Sequence, residues 1–583
     1  MGPMMKGGEW LIADSGHDDV LVPEKLSEEH RLIGRTADEF VAQEVAPALA
    51  DLEQKRWDVA RALLVRAGTL GLIGADVPEE VGGVGLDKAA SIVVGEAIGA
   101  AASFATAFGA QSGLAVLPLL CFGTPGQQQR YLPRIMSGEL VGAYCLSETG
   151  SGSDALSARA RATRLEDGAW SITGEKMWIS NGGFADLFIV FAKVDGDRFS
   201  AFLVERGFRG VSTGQEEHKM GLRGSSTTPL VLQDARVPAE NLLGTIGRGH
   251  KIAFNVLNYG RFKLGAMCLG TAKAALLESL KYAAGRRQFG RPIASFGAIQ
   301  HKLASMTIGI YAVESMLYRT AGLIDGRIGA ATDGATIAAA LEEYAVEASL
   351  LKVASSELAD HVVDENVQIH GGNGFVSDYP AERRYRDARV NRIFEGTNEI
   401  NRLVVPGLLI KRAIAGTLPL IDAATRAEAD LVSVAAAPAR SAEAAAVHGM
   451  KTTAVLMLGL AMRTHGKALE DEQELQMLIA DMVMHAFTAE SAMLRAAHAE
   501  AAGLSIAPLH GDAAAVIVHD AAMHVEIAAR TALGALATGD TLRASLAALR
   551  RTLPVPAVNT IAVRRRIAGA ALARPRYLFS SAS

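Results

Sequence analysis

The amino-acid sequence predicts a mainly helical α+β protein of several domains, and three observations support this fold class. A chain of 583 residues is too long for one ordinary core, so two to four domains are expected. Apolar residues with helical spacing run through both ends of the chain. Between them, short β-rich runs alternate with Gly, Asp and Asn turns over residues 141–245.

The first part of the chain is predicted as a tail over 1–26 and an N-terminal helical domain over 27–140. Ser27 is expected to be an N-cap residue, because two glutamates follow it in the first turn. The middle segment, 141–245, is predicted as a small antiparallel β-barrel or sandwich. No helix-length period separates its strand-like runs, which argues against a parallel doubly wound sheet.

A C-terminal helical bundle is predicted over 246–415. A second long helix is expected over 336–360, giving an up-and-down bundle. The first long helix is indicated by an apolar stripe in steps of three and four: Phe296, Ile299, Leu303, Met306, Ile310, Val313 and Leu317.

An extra C-terminal helical domain is predicted over 416–583, where the chain is rich in alanine. Breaks between its helices are expected near 437–439, 503–508 and 554–556. The arginines between 564 and 576 fit either a solvated helix face or a patch for a membrane or a partner.

Charge and cysteine content limit the classes of function. The net charge of -5 argues against nucleic acid as the main partner. The 3 cysteines show no CxxC pairing, so neither a disulfide framework nor a metal site of the zinc type is expected, and a reducing compartment is indicated. The N-terminus resembles neither a secretory signal nor a transit peptide, and no apolar run reaches ~20 residues. We expect a cytoplasmic protein, with peripheral membrane contact left open.

The strongest chemical signal is Glu395, which lies between an aromatic residue and Gly396. A carboxylate flanked by Ile393 and Phe394 is expected to be partly desolvated, which raises its pKa toward neutrality and suits a general base. Gly396 permits close approach of a ligand to the backbone. The alternative is an ordinary helix start, with an N-cap at 397 or 398 and an acid at 399.

Four other segments carry weaker signals. Residues 150–155 fit the fingerprint GxGxxA, but β-like sequence follows, so a ligand-contacting loop is favoured over a dinucleotide fold. Trp178 and Ser180 alternate on one predicted strand and suit a planar ring with a polar edge, or simply a core tryptophan. Arg286 has the guanidinium fork that matches a phosphate, although a surface charge is the alternative. The glycines at 371–374 allow a nucleotide near the backbone or a helix C-cap.

Five segments in the same order resemble the acyl-CoA dehydrogenase family, over roughly 26–410. They read YCLSETGSGSD (144–154), KMWISNG (176–182), RRQFGRPI (286–293), QIHGGNG (368–374) and RIFEGTNEI (392–400). The C-terminal portion and the run NVLNYGRF at 255–262 are most similar to the very-long-chain branch. Thr149 replaces the proline that is usual in the family, and Asn258 replaces the aspartate of many short- and medium-chain members.

The resemblance implies an FAD-dependent oxidoreductase of fatty acid β-oxidation that converts a fatty acyl-CoA to trans-2-enoyl-CoA, with Glu395 as the catalytic base. It implies electron-transferring flavoprotein as the partner, and a homodimer or larger assembly because cofactor contacts cross subunits in relatives. The alternatives are an acyl-CoA oxidase that uses oxygen and an assembly or scaffold protein on the same fold. A long acyl chain or close helix packing would each explain a run of small residues: Ala101, Ala102, Ala105, Gly109 and Gly113.

The resemblance also assigns the binding residues. The implied cofactor contacts are Tyr144, Leu146, Ser147, Ser153, Trp178, Ser180, Arg286, Gln288, Phe289, Gln368, Gly371, Gly372, Thr397, Asn398 and Glu399. The implied substrate contacts are Ser153, Asn258, Arg261 and Gly396.

Overall fold

Helices form the first domain in the computed structural model, which describes residues 4–432 and 441–580. Two π-helical segments, Val41–Val45 and Ala110–Ala115, interrupt the α-helices. The Ser27 hydroxyl accepts a hydrogen bond from the His30 N–H, which confirms the predicted N-cap. The helices are α1 (Glu28–Phe40), α2 (Ala46–Glu53), α3 (Trp57–Thr69), α4 (Lys88–Gly99), α5 (Ala102–Gly109), α6 (Val116–Phe122) and α7 (Pro125–Met136).

The predicted β domain follows as one sheet of eight strands. They are β1 (Gly142–Cys145), β2 (Arg161–Arg164), β3 (Trp170–Ser180), β4 (Leu187–Val194), β5 (Arg198–Glu205), β6 (Val211–Thr213), β7 (Thr227–Val237) and β8 (Leu242–Leu243). The order is β6-β7-β3-β2-β4-β5-β8, with β1 also on β4. Most pairings are antiparallel as predicted, but β1 and β2 both run parallel to β4. The long connection from β1 to β4 makes such parallel pairing accessible.

The helical bundle follows, and a short hairpin projects from it. The elements are α8 (Gly249–Gly285), β9 (Arg287–Gln288), β10 (Arg291–Pro292), α9 (Gly297–Ile328), α10 (Gly334–Glu343), α11 (Ala345–His370), α12 (Pro380–Ala388) and α13 (Asn398–Ile414). The predicted apolar stripe lies on α9, where Leu303, Met306 and Leu317 are fully buried. The helix expected over 336–360 is two helices, because the chain breaks at Tyr344, whose buried ring is anchored by a hydrogen bond from its hydroxyl to the Met5 carbonyl at 2.8 Å.

The extra domain is helical, as predicted. It contains α14 (Leu420–Val432), α15 (Ala442–His465), α16 (Gln473–Ala501), α17 (Ala507–Leu536), α18 (Gly539–Thr552) and α19 (Thr560–Ala573). The chain leaves helical geometry near 503–506 and 553–559, as expected, whereas the predicted break at 437–439 lies outside the described residues. Two of the C-terminal arginines are paired, Arg564 with Asp520 at 2.6 Å and Arg566 with Asp512 at 2.5 Å. These pairs reduce the free positive charge of that face.

The N-terminal segment differs from the predicted tail, because residues 4–26 pack against the bundle. Trp10 is fully buried, and its indole N–H donates to the Glu347 carboxylate at 2.9 Å. The Gly8 N–H donates to the same oxygen at 2.7 Å. Both hydrogen bonds end on Oε1 of Glu347, whereas Oε2 is buried without a partner among the described residues. Trp10 and Glu347 are 337 residues apart in the chain, so no local pattern reveals the contact.

Three helical stretches of the described residues are long and apolar enough to cross a membrane by length and composition, contrary to the expectation that no apolar run reaches that length. They are 102–122, 442–470 and 473–501, and their most apolar windows are 78%, 67% and 67% buried. Burial inside the protein accounts for their composition.

A buried ionic network joins the bundle to the extra domain. The Arg495 guanidinium contacts Glu314 at 2.5 Å and Glu24 at 2.6 Å, and Lys273 also pairs with Glu314. The Tyr577 hydroxyl donates to Glu314 at 2.7 Å. Although burial opposes ionisation, the two cations hold the pKa of Glu314 below its usual value. Removing Arg495 would take away the ion pair of Glu24 and leave Glu314 with Lys273 as its only cation.

We therefore expect Arg495→Met to lower the free energy of unfolding by about 3–5 kcal/mol, measured by urea titration. The control is Arg543→Met, because the pair of Arg543 with Asp540 is exposed and contributes little. Equal midpoints for the two variants would contradict this role of the network.

Candidate active site

A cavity of about 90 Å³ lies between the first domain, α8 and the loop before α13. Glu395, Ser180 and Gly260 are among the residues that line it. Four of the small residues noted in the sequence also line it, namely Ala102, Ala105, Gly109 and Gly113, whereas Ala101 is packed away. The π-helical segment 110–115 contributes to the same wall. The cavity therefore combines an apolar wall of small residues with two carboxylates, Glu395 and Asp387, and one lysine, Lys263.

The backbone around Glu395 is in a strained left-handed conformation. The φ angle is 57° at Glu395 and 79° at Gly396. For any residue other than glycine this conformation costs about 1–3 kcal/mol, so it persists only where the surrounding structure enforces it. Here the surroundings are three side chains that donate hydrogen bonds to the loop carbonyls.

These three donors come from three different helices. Arg261 Nε on α8 donates to the Glu395 carbonyl at 3.1 Å. Lys352 Nζ on α11 donates to the Gly396 carbonyl at 2.7 Å. Asn401 Nδ2 on α13 donates to the carbonyls of residues 396 and 397 at 2.8 and 3.0 Å. The loop carbonyls therefore point into the protein.

The Glu395 carboxyl has the properties of a general base, as the sequence predicts. Burial raises its pKa to about 7, while the positive charges of Arg261 and Lys352 act in the opposite direction. Its Oε2 atom is buried and accepts no hydrogen bond from any described residue. An unpartnered buried acceptor is costly unless a ligand or a proton meets it.

Gly260 makes room for this carboxyl, and the sequence does not single it out. A Cβ atom at residue 260 would lie 2.6 Å from Glu395 Oε2. The same motif predicts substrate contacts for Asn258 and Arg261, and these contacts stay a prediction. Both side chains are buried behind the cavity wall, where Arg261 Nη1 donates to Asn258 Oδ1 at 3.2 Å. Burial and mutual pairing make them supports of the Glu395 loop.

The residues after Gly396 begin helix α13. This agrees with the alternative interpretation of the segment as an ordinary helix start. The Thr397 hydroxyl accepts from the Ile400 N–H at 3.3 Å and caps α13. The Asn398 side chain is buried against Lys352 and Ser356, and its cofactor contact stays a prediction. Glu399 is exposed in the first turn, and hydrogen bonds there keep its pKa below the usual value.

The segment 146–157 is a loop between β1 and β2, which confirms that GxGxxA is not a dinucleotide fold here. Only a short turn of 3-10 helix, Ala155–Ser157, follows the glycines. The buried Glu148 anchors the loop, because its carboxylate accepts from Lys176 Nζ at 2.6 Å and from two N–H groups. Ser153 is exposed, Ser147 is partly exposed, and the Leu146 side chain is buried. The pair Glu148–Lys176 joins two segments and is not evident from either one.

The predicted aromatic contacts Tyr144 and Trp178 are not among the residues that line the cavity, whereas Ser180 is. The Tyr144 hydroxyl is buried and has no hydrogen-bond partner among the described residues. Burial and, next, the Glu395 carboxylate raise its pKa well above the ordinary value. Trp178 is 59% exposed and has φ of 59° at an irregularity of β3, so simple strand alternation with Ser180 does not hold. The irregularity of β3 thus leaves most of the Trp178 ring exposed.

The remaining predicted cofactor contacts lie at one end of the bundle. Arg286 and Gln288 are exposed beside the β9–β10 hairpin, and Phe289 at its turn is 92% exposed. The rings of Tyr282 and His370 stack at 4.1 Å and bring this end of α8 to the end of α11. There Gln368 is exposed, and an added Cβ at Gly371 or Gly372 would meet no atom within 4 Å. The backbone is thus open to a large ligand or a second chain.

Comparison with known proteins agrees with this architecture. Family models for the N-terminal, middle and C-terminal domains of acyl-CoA dehydrogenase match residues 27–139, 143–235 and 247–406, and a further C-terminal domain model matches 449–551. The chain therefore belongs to the acyl-CoA dehydrogenase family of FAD-dependent oxidoreductases, as its motifs predict.

Individual relatives fall in several branches of this family. A Bacillus subtilis protein named as a probable acyl-CoA dehydrogenase is 45% identical over 98% of both chains. The crystal structure of an acyl-CoA dehydrogenase complexed with FAD from Bacillus anthracis has 46% identity and a TM-score of 0.96, covering 98% of this chain and 99% of that one. The very-long-chain specific enzyme of Bos taurus is 42% identical over 58% of this chain and 51% of its own length, and short-chain specific enzymes match as well.

Mutation of Gly260 tests the geometry of the carboxyl. We expect Gly260→Ala to fold and keep its flavin, because the clash is local, and to lose about a hundredfold in the rate of flavin reduction by acyl-CoA, because the base is displaced. The matched control is Gly407→Ala in α13, where an added Cβ meets nothing within 4 Å. A Gly260→Ala rate equal to that of the control would contradict the clash.

Proposed function

We propose that this protein is an FAD-dependent acyl-CoA dehydrogenase that converts a long-chain fatty acyl-CoA to trans-2-enoyl-CoA in fatty acid β-oxidation. The observation that carries the proposal is the unpartnered Glu395 Oε2 atom beside a narrow apolar cavity, on a carboxyl with a pKa of about 7. A base of this pKa is ionised in part at neutral pH and can hold a proton after taking it.

In this proposal Glu395 removes a proton from the α-carbon of the thioester. That proton is weakly acidic, so the thioester carbonyl must be polarised as negative charge develops on it. The Glu395 N–H is the protein donor that we assign to this task. Because the loop carbonyls are held by Arg261, Lys352 and Asn401, the backbone is fixed before the substrate arrives.

FAD, when bound, accepts the hydride from the β-carbon. The orphan Tyr144 hydroxyl and the exposed Trp178 ring fit the edge and face of a flavin, with Ser180 beside them. Arg286, Gln288, Gly371 and their neighbours would hold the pyrophosphate and adenosine part. The exposed position of the hairpin supports a homodimer in which these residues serve the partner subunit.

Chain length and electron transfer complete the proposal. Alanines and glycines along the cavity wall leave room for a long acyl tail. Electron-transferring flavoprotein is the proposed electron acceptor, and the cytoplasm the proposed location. An oxidase reaction would instead produce peroxide in air, and a scaffold protein would reduce no flavin with any acyl-CoA.

Replacement of Glu395 by Gln tests the reaction. We expect the variant to retain FAD and to lose at least about a thousandfold in the anaerobic rate of flavin bleaching, because the amide cannot take a proton. The measurement uses a panel of short- to very-long-chain acyl-CoA substrates, and the wild type is expected to prefer the long ones. Near-wild-type turnover in Glu395→Gln would remove this residue from the role.

Replacement of Arg286 by Ala tests the phosphate contact. We expect a lower ratio of flavin to protein absorbance after gel filtration, because a fork that matches phosphate oxygens is lost. Arg209→Ala serves as the control, since Arg209 is also exposed but lies in the β domain. An unchanged ratio in Arg286→Ala would count against the contact.

A further inference from the structure

Lys352 is a fully buried cation beneath the loop that carries Glu395. Its Nζ atom lies on the inner face of α11 and donates to the Gly396 carbonyl and to Asn398 Oδ1, both at 2.7 Å. No carboxylate of the described residues forms a salt bridge with it. A buried ammonium without a contacting counter-ion is costly, so a nearby charge has to offset it.

The charged and titratable groups around this position come from three elements. Arg261 and Cys268 belong to α8, Glu399 lies in the first turn of α13, and Glu395 belongs to the loop itself. Burial lowers the pKa of Lys352 to about 8, and the Glu395 carboxylate is one of the groups that raise it. Reciprocally, Lys352 and Arg261 lower the pKa of Glu395. The Glu395 carboxylate also raises the pKa of Tyr144 on β1, and Lys263 and Asp387 line the same cavity as Glu395.

We propose that Lys352 is a positioning residue that holds the Glu395 loop through the Gly396 carbonyl and keeps Glu395 ionised through its charge. The inference rests on the proposed function, because it assigns Glu395 the role of base. Without the ammonium, Arg261 alone would oppose the effect of burial, so the pKa of Glu395 would rise and a larger share of the carboxyl would already hold a proton at neutral pH. Of the three side chains that donate to the loop carbonyls, Asn401 is neutral, whereas Lys352 and Arg261 are cations.

This division allows the charge to be separated from the hydrogen bond. Asn401 donates to the same Gly396 carbonyl as Lys352, and to the Thr397 carbonyl, but carries no charge. Lys352→Gln removes the charge and keeps a donor, whereas Lys352→Arg keeps the charge. If a variant only displaces the Glu395 loop, the reaction should be slower at every pH. If it only removes the positive charge at residue 352, the reaction should be slower only at those pH values where Glu395 has become protonated.

The test is the rate constant of anaerobic flavin reduction by a long-chain acyl-CoA, measured by stopped flow from pH 6 to about pH 9. For the wild type the rate is expected to rise with pH through about 7, because Glu395 must be ionised. For Lys352→Gln we expect the rise at higher pH, with a loss of about fivefold at pH 7 that disappears near pH 9. Lys352→Arg should keep the wild-type midpoint, and Asn401→Ala should be slower throughout without a change of midpoint.

Flavin content and thermal midpoint are measured for each variant. Wild-type and Lys352→Gln profiles with the same midpoint would overturn the inference, and so would loss of FAD or of the fold in Lys352→Gln, which would indicate a structural role alone. A wild type that reduces no flavin with any acyl-CoA would overturn the proposed function and, with it, this inference. If the wild type reduces its flavin with acyl-CoA but the pH midpoint of Lys352→Gln is unchanged, only the inference about Lys352 is overturned.

Discussion

The structure depends on the attachment of three successive backbone carbonyls, at residues 395–397, to side chains of three helices. Arg261, Lys352 and Asn401 supply the donors, and together they hold a left-handed turn that an isolated peptide would abandon. Because the carbonyls point inward, the Glu395 carboxyl is held against the cavity. The same two cations moderate a pKa that burial alone would raise further.

The rest of the fold keeps these three helices in register. Helices α8 and α11 run the length of the bundle, and Gly260 leaves space between α8 and the carboxyl. The N-terminal segment is bound to α11 through Glu347, and the ionic network around Glu314 attaches the extra domain to α8 and α9. The reacting loop is therefore supported by contacts that are far apart in the sequence.

The sequence predicted those features that depend on local chemistry. The raised pKa of Glu395 follows from its apolar neighbours, the long helix α9 from its apolar stripe, and the loop at 146–157 from the β-like sequence after it. It did not predict Gly260, Lys352 or the Glu148–Lys176 pair, since each acts only with a distant partner. The supporting role of Asn258 and Arg261 was likewise obscured, because a polar residue in a motif has the same appearance whether it faces a substrate or a backbone carbonyl.

The most direct test of this account is a crystal structure of the protein with FAD and a bound acyl-CoA analogue. The quantity to measure is the distance from the Glu395 carboxylate to the α-carbon of the thioester. We expect an oxygen within about 3–3.5 Å of that carbon, the separation from which proton transfer can proceed. A Glu395 side chain turned away from the α-carbon, or another carboxylate in its place, would contradict the account.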